Sequence, residues 1–226
     1  MMMTSLFISI VGWFAGFIPP AEPCTATWYS IRYPAAVIQQ CNTAARVEGL
    51  TEIEKEVVLL TNLVRYDPAL FAHHVLRPFI QQCDRSLLFD SSTAAVQSLY
   101  TDLANTKPMQ VLQVEPLLNQ TTASHADYCS RTGHIGHANM TERWQRIKNE
   151  LGHISAGENC SYVPASKNTA LHHVIALLVD ADTPSYGHRY AILNKSFQYI
   201  GVAVRSFPQD RYCMVQNFST ARNVSE

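Results

Sequence analysis

Four short segments collect side chains able to donate a lone pair or move a proton: Thr132-Gly-His-Ile-Gly-His137, Ser155-Ala-Gly-Glu-Asn-Cys-Ser-Tyr162, Leu177-Leu-Val-Asp180 and Tyr186-Gly-His-Arg-Tyr-Ala-Ile-Leu-Asn194. His134 and His188 each follow a glycine, and so does Glu158. A glycine lets the backbone turn tightly and present the next side chain into a cleft. Two neutral imidazoles and a carboxylate offer nitrogen and oxygen donors to zinc or another divalent cation, in a site that would keep water. The same groups could equally hydrogen-bond one another and staple loops to a sheet. Both readings stand for His134 and His188, whereas Glu158 reads as an orienting or capping carboxylate.

Other candidates are weaker. His137, three residues after His134, is a spare ligand. His125 and His153 read as hydrogen-bonded or surface histidines, His172 and His173 fall opposite the apolar face of their helix, and Arg189 is expected to pair with a carboxylate near the cleft. The chain has no Gly-x-Ser-x-Gly elbow, no P-loop, no His-Glu-x-x-His and no Gly-x-Gly-x-x-Gly, so no catalytic residue is assigned. A hydrolase would need His134 or His188 as general base, Glu158 to orient it and a metal or Ser185 in the attack, with no elbow to present that serine.

Positioning these groups requires rigid elements. Thr51-Glu-Ile-Glu54 has capping-box spacing before Val57, Val58, Leu60, Leu63 and Val64 at helical intervals. Asp67-Pro68 interrupts this helix, and a helical stretch from Ala69 to Leu76 comes next. Further helices are expected after Ser91-Ser92 through Ala104, from Pro116 to Cys129, from Glu142 to Glu150 and from Ala165 to Asp182, with a loop over Gly152 to Gly157. Ile200, Val202 and Val204 alternate as a strand, and Tyr212 to Phe218 reads as its partner after a turn at Phe207-Pro-Gln-Asp210. Helices packed on an antiparallel sheet are the architecture this order favours.

Composition narrows the partners. With 17 Lys+Arg against 18 Asp+Glu, the net charge of -1 offers no field for nucleic acid or an anionic membrane. The uncharged run Leu6 to Ile18 reads as a signal-peptide core within residues 1–23, too short for a comfortable span, and no later run is long and apolar enough to cross a membrane. Cys24, Cys41, Cys83, Cys129, Cys160 and Cys213 all lie after it, an even number that fits three disulfides and no free thiol in an exported chain. Six sequons accompany them. Asn119, Asn139, Asn194 and Asn223 are the better acceptors, while Asn159 and Asn217 fall where a glycan would collide with packing. Residues 24–50 read as a disulfide-pinned extension, 51–219 as one domain and 220–226 as a tail.

The Gly-His loop, the Gly-Glu-Asn segment, the acid three residues after an apolar helix position and the Gly-His-Arg segment together resemble the CAP (SCP/PR-1/Tpx-1) family, in order and spacing, over residues 51–219. The Gly-His-Arg-x-x-Ile-Leu form is closer to bacterial and protist members than to animal venom proteins. The resemblance implies an α+β fold, a three-layer α/β/α sandwich with a mainly antiparallel sheet. It also implies a cleft tetrad of His134, Glu158, Asp180 and His188, with His134 and His188 as metal ligands. Asp180 stands where the family usually has Glu, and Asp182 is its rival. The function it implies is that of a secreted, extracellular, glycosylated protein, non-enzymatic, binding a lipid, a sterol or another small apolar ligand. The alternatives are a hydrolase and a surface protein that engages a partner protein.

Overall fold

The computed structural model describes residues 24–86, 89–152 and 155–220. Helices α1 (Ala26–Ser30) and α2 (Ala35–Cys41) precede α3 (Glu52–Tyr66), α4 (Pro68–Phe71), α5 (Ala94–Asn105), α6 (Pro116–Thr132), α7 (Met140–Leu151), α8 (Ala170–Val179) and α9 (Gly187–Ile192). The strands are β1 (Gln113–Val114), β2 (Ala156–Pro164), β3 (Tyr199–Phe207) and β4 (Arg211–Ser219), in the spatial order β1-β3-β4-β2. The long pairs are antiparallel and the short β1–β3 pair is parallel.

The capping box forms as its spacing predicts: the Thr51 N–H donates to Glu54 and the Glu54 N–H to Thr51 Oγ1. Glu54 also accepts the Val204 N–H at 2.8 Å, which ties the start of α3 to β3. Asp67 restarts the chain as α4, with Pro68 in its first turn. The stretch after it widens to π-helical turns over Ala72–Leu76 and Phe79–Cys83, on either side of Pro78.

Strand alternation divides the sheet into two faces. Ile200, Val202, Val204, Met214 and Phe218 join the main core under α3, α5 and α8. Cys160, Ala203, Cys213 and Val215 face Ala126 and Cys129 of α6 on the other side. Helix, sheet and helix form the three layers. At Gly201 the backbone of α6 approaches so closely that a Cβ would lie 2.4 Å from the Leu118 carbonyl carbon, a contact no side chain can relieve.

Three expectations are corrected. The long helix expected over Ala165 to Asp182 is shorter, because the Thr169 hydroxyl caps α8 through the His172 N–H and Asp180 ends it in a left-handed conformation. The loop expected over Gly152 to Gly157 gives way to strand at Ala156, where β2 already pairs with β4. His172 and His173 are buried rather than on an exposed face. His173 bonds Ser161 Oγ and Asn168 Oδ1, and burial pushes its pKa down to about 3.

The cysteines also depart from expectation. Cys24 and Cys83 are disulfide-bonded, whereas Cys41, Cys129, Cys160 and Cys213 are buried thiols. Cys41 belongs to the core on the α3 side and the other three to the α6 side, so the sheet separates it from them. Cys160 pairs in register with Val215, and Cys213 with Tyr162. These two are therefore diagonal neighbours, at about 7–8 Å, beyond disulfide reach. Thiol titration of unfolded, unreduced protein is expected to find four thiols, and six or none would contradict this arrangement.

The sequons sort by burial. Asn159 and Asn217 are fully buried, and the Asn119 side-chain oxygen accepts the Val202 N–H at 3.0 Å. Asn139 is exposed at the start of α7. Asn194 is half-buried and accepts the Ser196 N–H, while Asn223 and His153 lie outside the described residues.

Candidate functional site

β2 aims Glu158 at the α6 side of the sheet, where its side chain is fully buried. Arg143 of α7 grips both carboxylate oxygens, with its second amino group 2.8 Å from Oε1. His137 Nδ1 lies 2.9 Å from the same oxygen. Burial would raise the Glu158 pKa, but the hydrogen bonds and charge of Arg143 and the bond from His137 outweigh it and hold the carboxyl below the usual range.

A matching pair faces it. Asp180, buried at the end of α8, accepts the backbone N–H of His188 at 2.9 Å and its Nδ1–H at 2.7 Å. The left-handed turn at Asp180 carries the carboxylate over the start of α9, so the shorter side chain reaches. Asp182 stays exposed on the cleft wall, which leaves the third acidic position to Asp180.

The two imidazoles approach to 6.4 Å between ring centres. Each gives its Nδ1 to a carboxylate, which fixes the tautomer and leaves Nε2 as a lone-pair donor with no hydrogen-bond partner among the described residues. A cleft of about 320 Å³, lined by Ile135, Ser161, Leu177, Asp180, Thr183 and His188, opens beside His188.

The structure therefore brings together His137, Glu158, Asp180 and His188, and does not bring His134 to the cleft. His134 is exposed at the tip of the Gly133–Gly136 loop, its ring 5.9 Å from that of Tyr128. Two Gly-His steps, 133–134 and 136–137, are indistinguishable as sequence, and the second is the one that meets Glu158. Arg143 was not anticipated; the only available signal was that a buried glutamate must have a cation. Arg189 is fully buried and pairs with Asp102 of α5 rather than with a cleft carboxylate.

A second donor cluster lies behind His137. His125, Glu158 and Cys160 hold one ligand atom each within 4.8 Å of one another. Each is already committed: His125 Nε2 bonds the Gly136 carbonyl at 2.9 Å, both Glu158 oxygens face Arg143, and burial pushes the Cys160 thiol pKa up. This trio fits a closed hydrogen-bonded network better than an ion.

A helix–sheet–helix protein with a paired histidine–carboxylate cleft is the class these features define. The model of the Cysteine-rich secretory protein family (CAP) matches residues 61–218, and the chain belongs to that family. No curated protein matches it in sequence. Among solved structures it is similar to an outer surface protein from Borrelia burgdorferi, at 18% identity and a TM-score of 0.40, over 58% of this chain and 96% of that one. No helix among the described residues is long and apolar enough to cross a membrane.

Proposed function

We propose that this chain is an extracellular binding protein that holds one divalent cation, zinc or a similar ion, between Nε2 of His137 and Nε2 of His188. The observation that carries the reading is the pair of carboxylate-oriented imidazoles, 6.4 Å apart between ring centres, whose Nε2 atoms have no hydrogen-bond partner among the described residues. Two imidazoles sharing a zinc at about 2.0–2.1 Å per bond hold their ring centres roughly 5–6 Å apart. A small inward movement of the glycine-flanked loop reaches this from 6.4 Å. The Cys24–Cys83 disulfide favours export. Binding is favoured over hydrolysis because, among the described residues, no hydroxyl or thiol is hydrogen-bonded to either Nε2, and His173, the partner of Ser161, is too weak a base at a pKa of about 3.

Calorimetric titration with zinc tests the reading. Replacing His137 or His188 by Ala is expected to remove most binding. Asp180→Asn, which spoils only the orientation of His188, should weaken it about 10–100-fold. Parent-like binding by both histidine variants would place the ion elsewhere.

A second reading, lipid carriage, rests on a larger cavity of about 680 Å³ between the π-helical stretch and α5. Ala69, Ala72, Ile80 and Ala104 give it an apolar side, facing His73, Gln81, Ser91 and Gln97, and Arg77 could meet a carboxylate head. A fatty acid suits this lining better than a sterol. Native mass spectrometry of secreted protein should show it bound, and Ile80→Asp should remove it; its presence in both would contradict the assignment.

A further inference from the structure

Building on the cation reading, we infer that the ion is shared between two copies of this chain, His134 of each copy completing the cleft of the other. The cleft is short of ligands. His137 and His188 supply two, while Glu158 and Asp180 are occupied in orienting them; zinc takes four, so one His134 from the second copy brings the protein ligands to three and leaves the fourth position to water.

Exposed apolar side chains occur close in sequence to the cleft histidines. Four large hydrophobic side chains are exposed among the described residues, Ile31, Ile135, Met140 and Tyr190. Three of them lie within three positions of a cleft histidine: Ile135 and Met140 flank His137, and Tyr190 comes two after His188. Exposed apolar side chains beside a ligand-poor site are what a docking partner would cover.

The occupant is indicated by the same loop. Gly133 and Gly136, both left-handed at φ 71° and 98°, present His134 and Ile135 outward together. The His134 ring nitrogens have no hydrogen-bond partner among the described residues, so the chain itself displays an imidazole beside an apolar anchor, Ile135, 57% exposed. In a two-fold pair each copy offers this tip to the other's cleft, which closes the assembly at two. The acidic cleft wall of Asp180 and Asp182 favours a neutral imidazole over a carboxylate as the incoming ligand.

The test uses the full secreted chain at tens of micromolar, its mass measured by light scattering with zinc and with a chelator, alongside zinc titration. The expected result is one zinc per chain and a mass that doubles with zinc and returns with chelator. His134→Ala should still bind zinc, at least tenfold more weakly, and remain a monomer. The double variant Met140→Ser with Tyr190→Ser should keep zinc and lose the dimer. A parent that binds one zinc per chain yet stays monomeric overturns the sharing and leaves the cleft reading intact. A parent that binds none overturns both, and zinc-driven dimers of His134→Ala overturn the role of His134.

Discussion

Arg189→Met should destabilise the protein by about 4 kcal/mol, because it removes the partner of the partly exposed Asp102 and leaves the buried Leu178, Val179 and Ala95 carbonyls without donors. Arg189 has no exposed surface, and its guanidinium bonds the Leu178, Val179 and Ala95 carbonyls, Ser98 Oγ and Asp102 Oδ2 at 2.6–3.1 Å. It also stacks on Tyr186, 4.1 Å from the ring centre. One side chain thus fixes the end of α8, the start of α9 and α5 together, and through them the Asp180–His188 pair. For a chain this long each kcal/mol is about 2–4 °C of melting temperature, so the midpoint should fall by roughly 8–16 °C. Lysine keeps the charge but cannot serve five acceptors, and Arg189→Lys should fall between. A Met variant that melts within about 2 °C of the parent would show the network to be dispensable.

The second large effect concerns Glu158 and has a definite sign with pH. Its folded-state pKa is depressed by Arg143 and His137 against the opposing effect of burial, so its contribution is present above the unfolded value of about 4.3 and is lost as pH falls through the lower, folded value. Glu158→Gln removes the charge under Arg143, whose side chain is 12% exposed, and should cost about 3 kcal/mol near neutral pH. The gap between parent and variant should narrow as pH drops below about 4. His173 also destabilises the fold in acid: with its folded pKa lowered to about 3, stability is lost from about pH 6.5 downward. Both proteins share that loss, so their difference isolates Glu158. Urea unfolding at pH 7 and pH 3 measures it, and an equal gap at both would contradict the ion-pair account.

Much of the fold was legible because its signals are local. The Thr51–Glu54 box, Pro68 and Pro116 in first turns, and the alternation of Ile200, Val202 and Val204 each depend on neighbours a few residues away. The site was legible by segment and not by atom. All four chemistry-bearing stretches reach it, yet choosing His137 over His134 depends on where β2 puts Glu158, and burying Arg143 depends on α7 packing beside α6. The histidines of α8 misled for a related reason. A helix between a sheet and α5 has no solvent face, so His172 and His173 had nowhere exposed to go, and they found Asp84, Thr169, Ser161 and Asn168 instead. The cysteines show the limit of counting: six residues gave an even number, but the sheet separates Cys41 from the three on its other side.

The most direct test of the cleft is nitrogen-15 NMR of the imidazoles during zinc titration, because it reads individual ring nitrogens. Only the Nε2 resonances of His137 and His188 among the cleft and near-cleft histidines of one chain are expected to move as the first equivalent of zinc binds, with both Nδ1 atoms remaining protonated and bonded to Glu158 and Asp180. His134 should move with them only where dimers form. A first equivalent that shifts His125, or leaves His137 and His188 unmoved, would contradict the assignment.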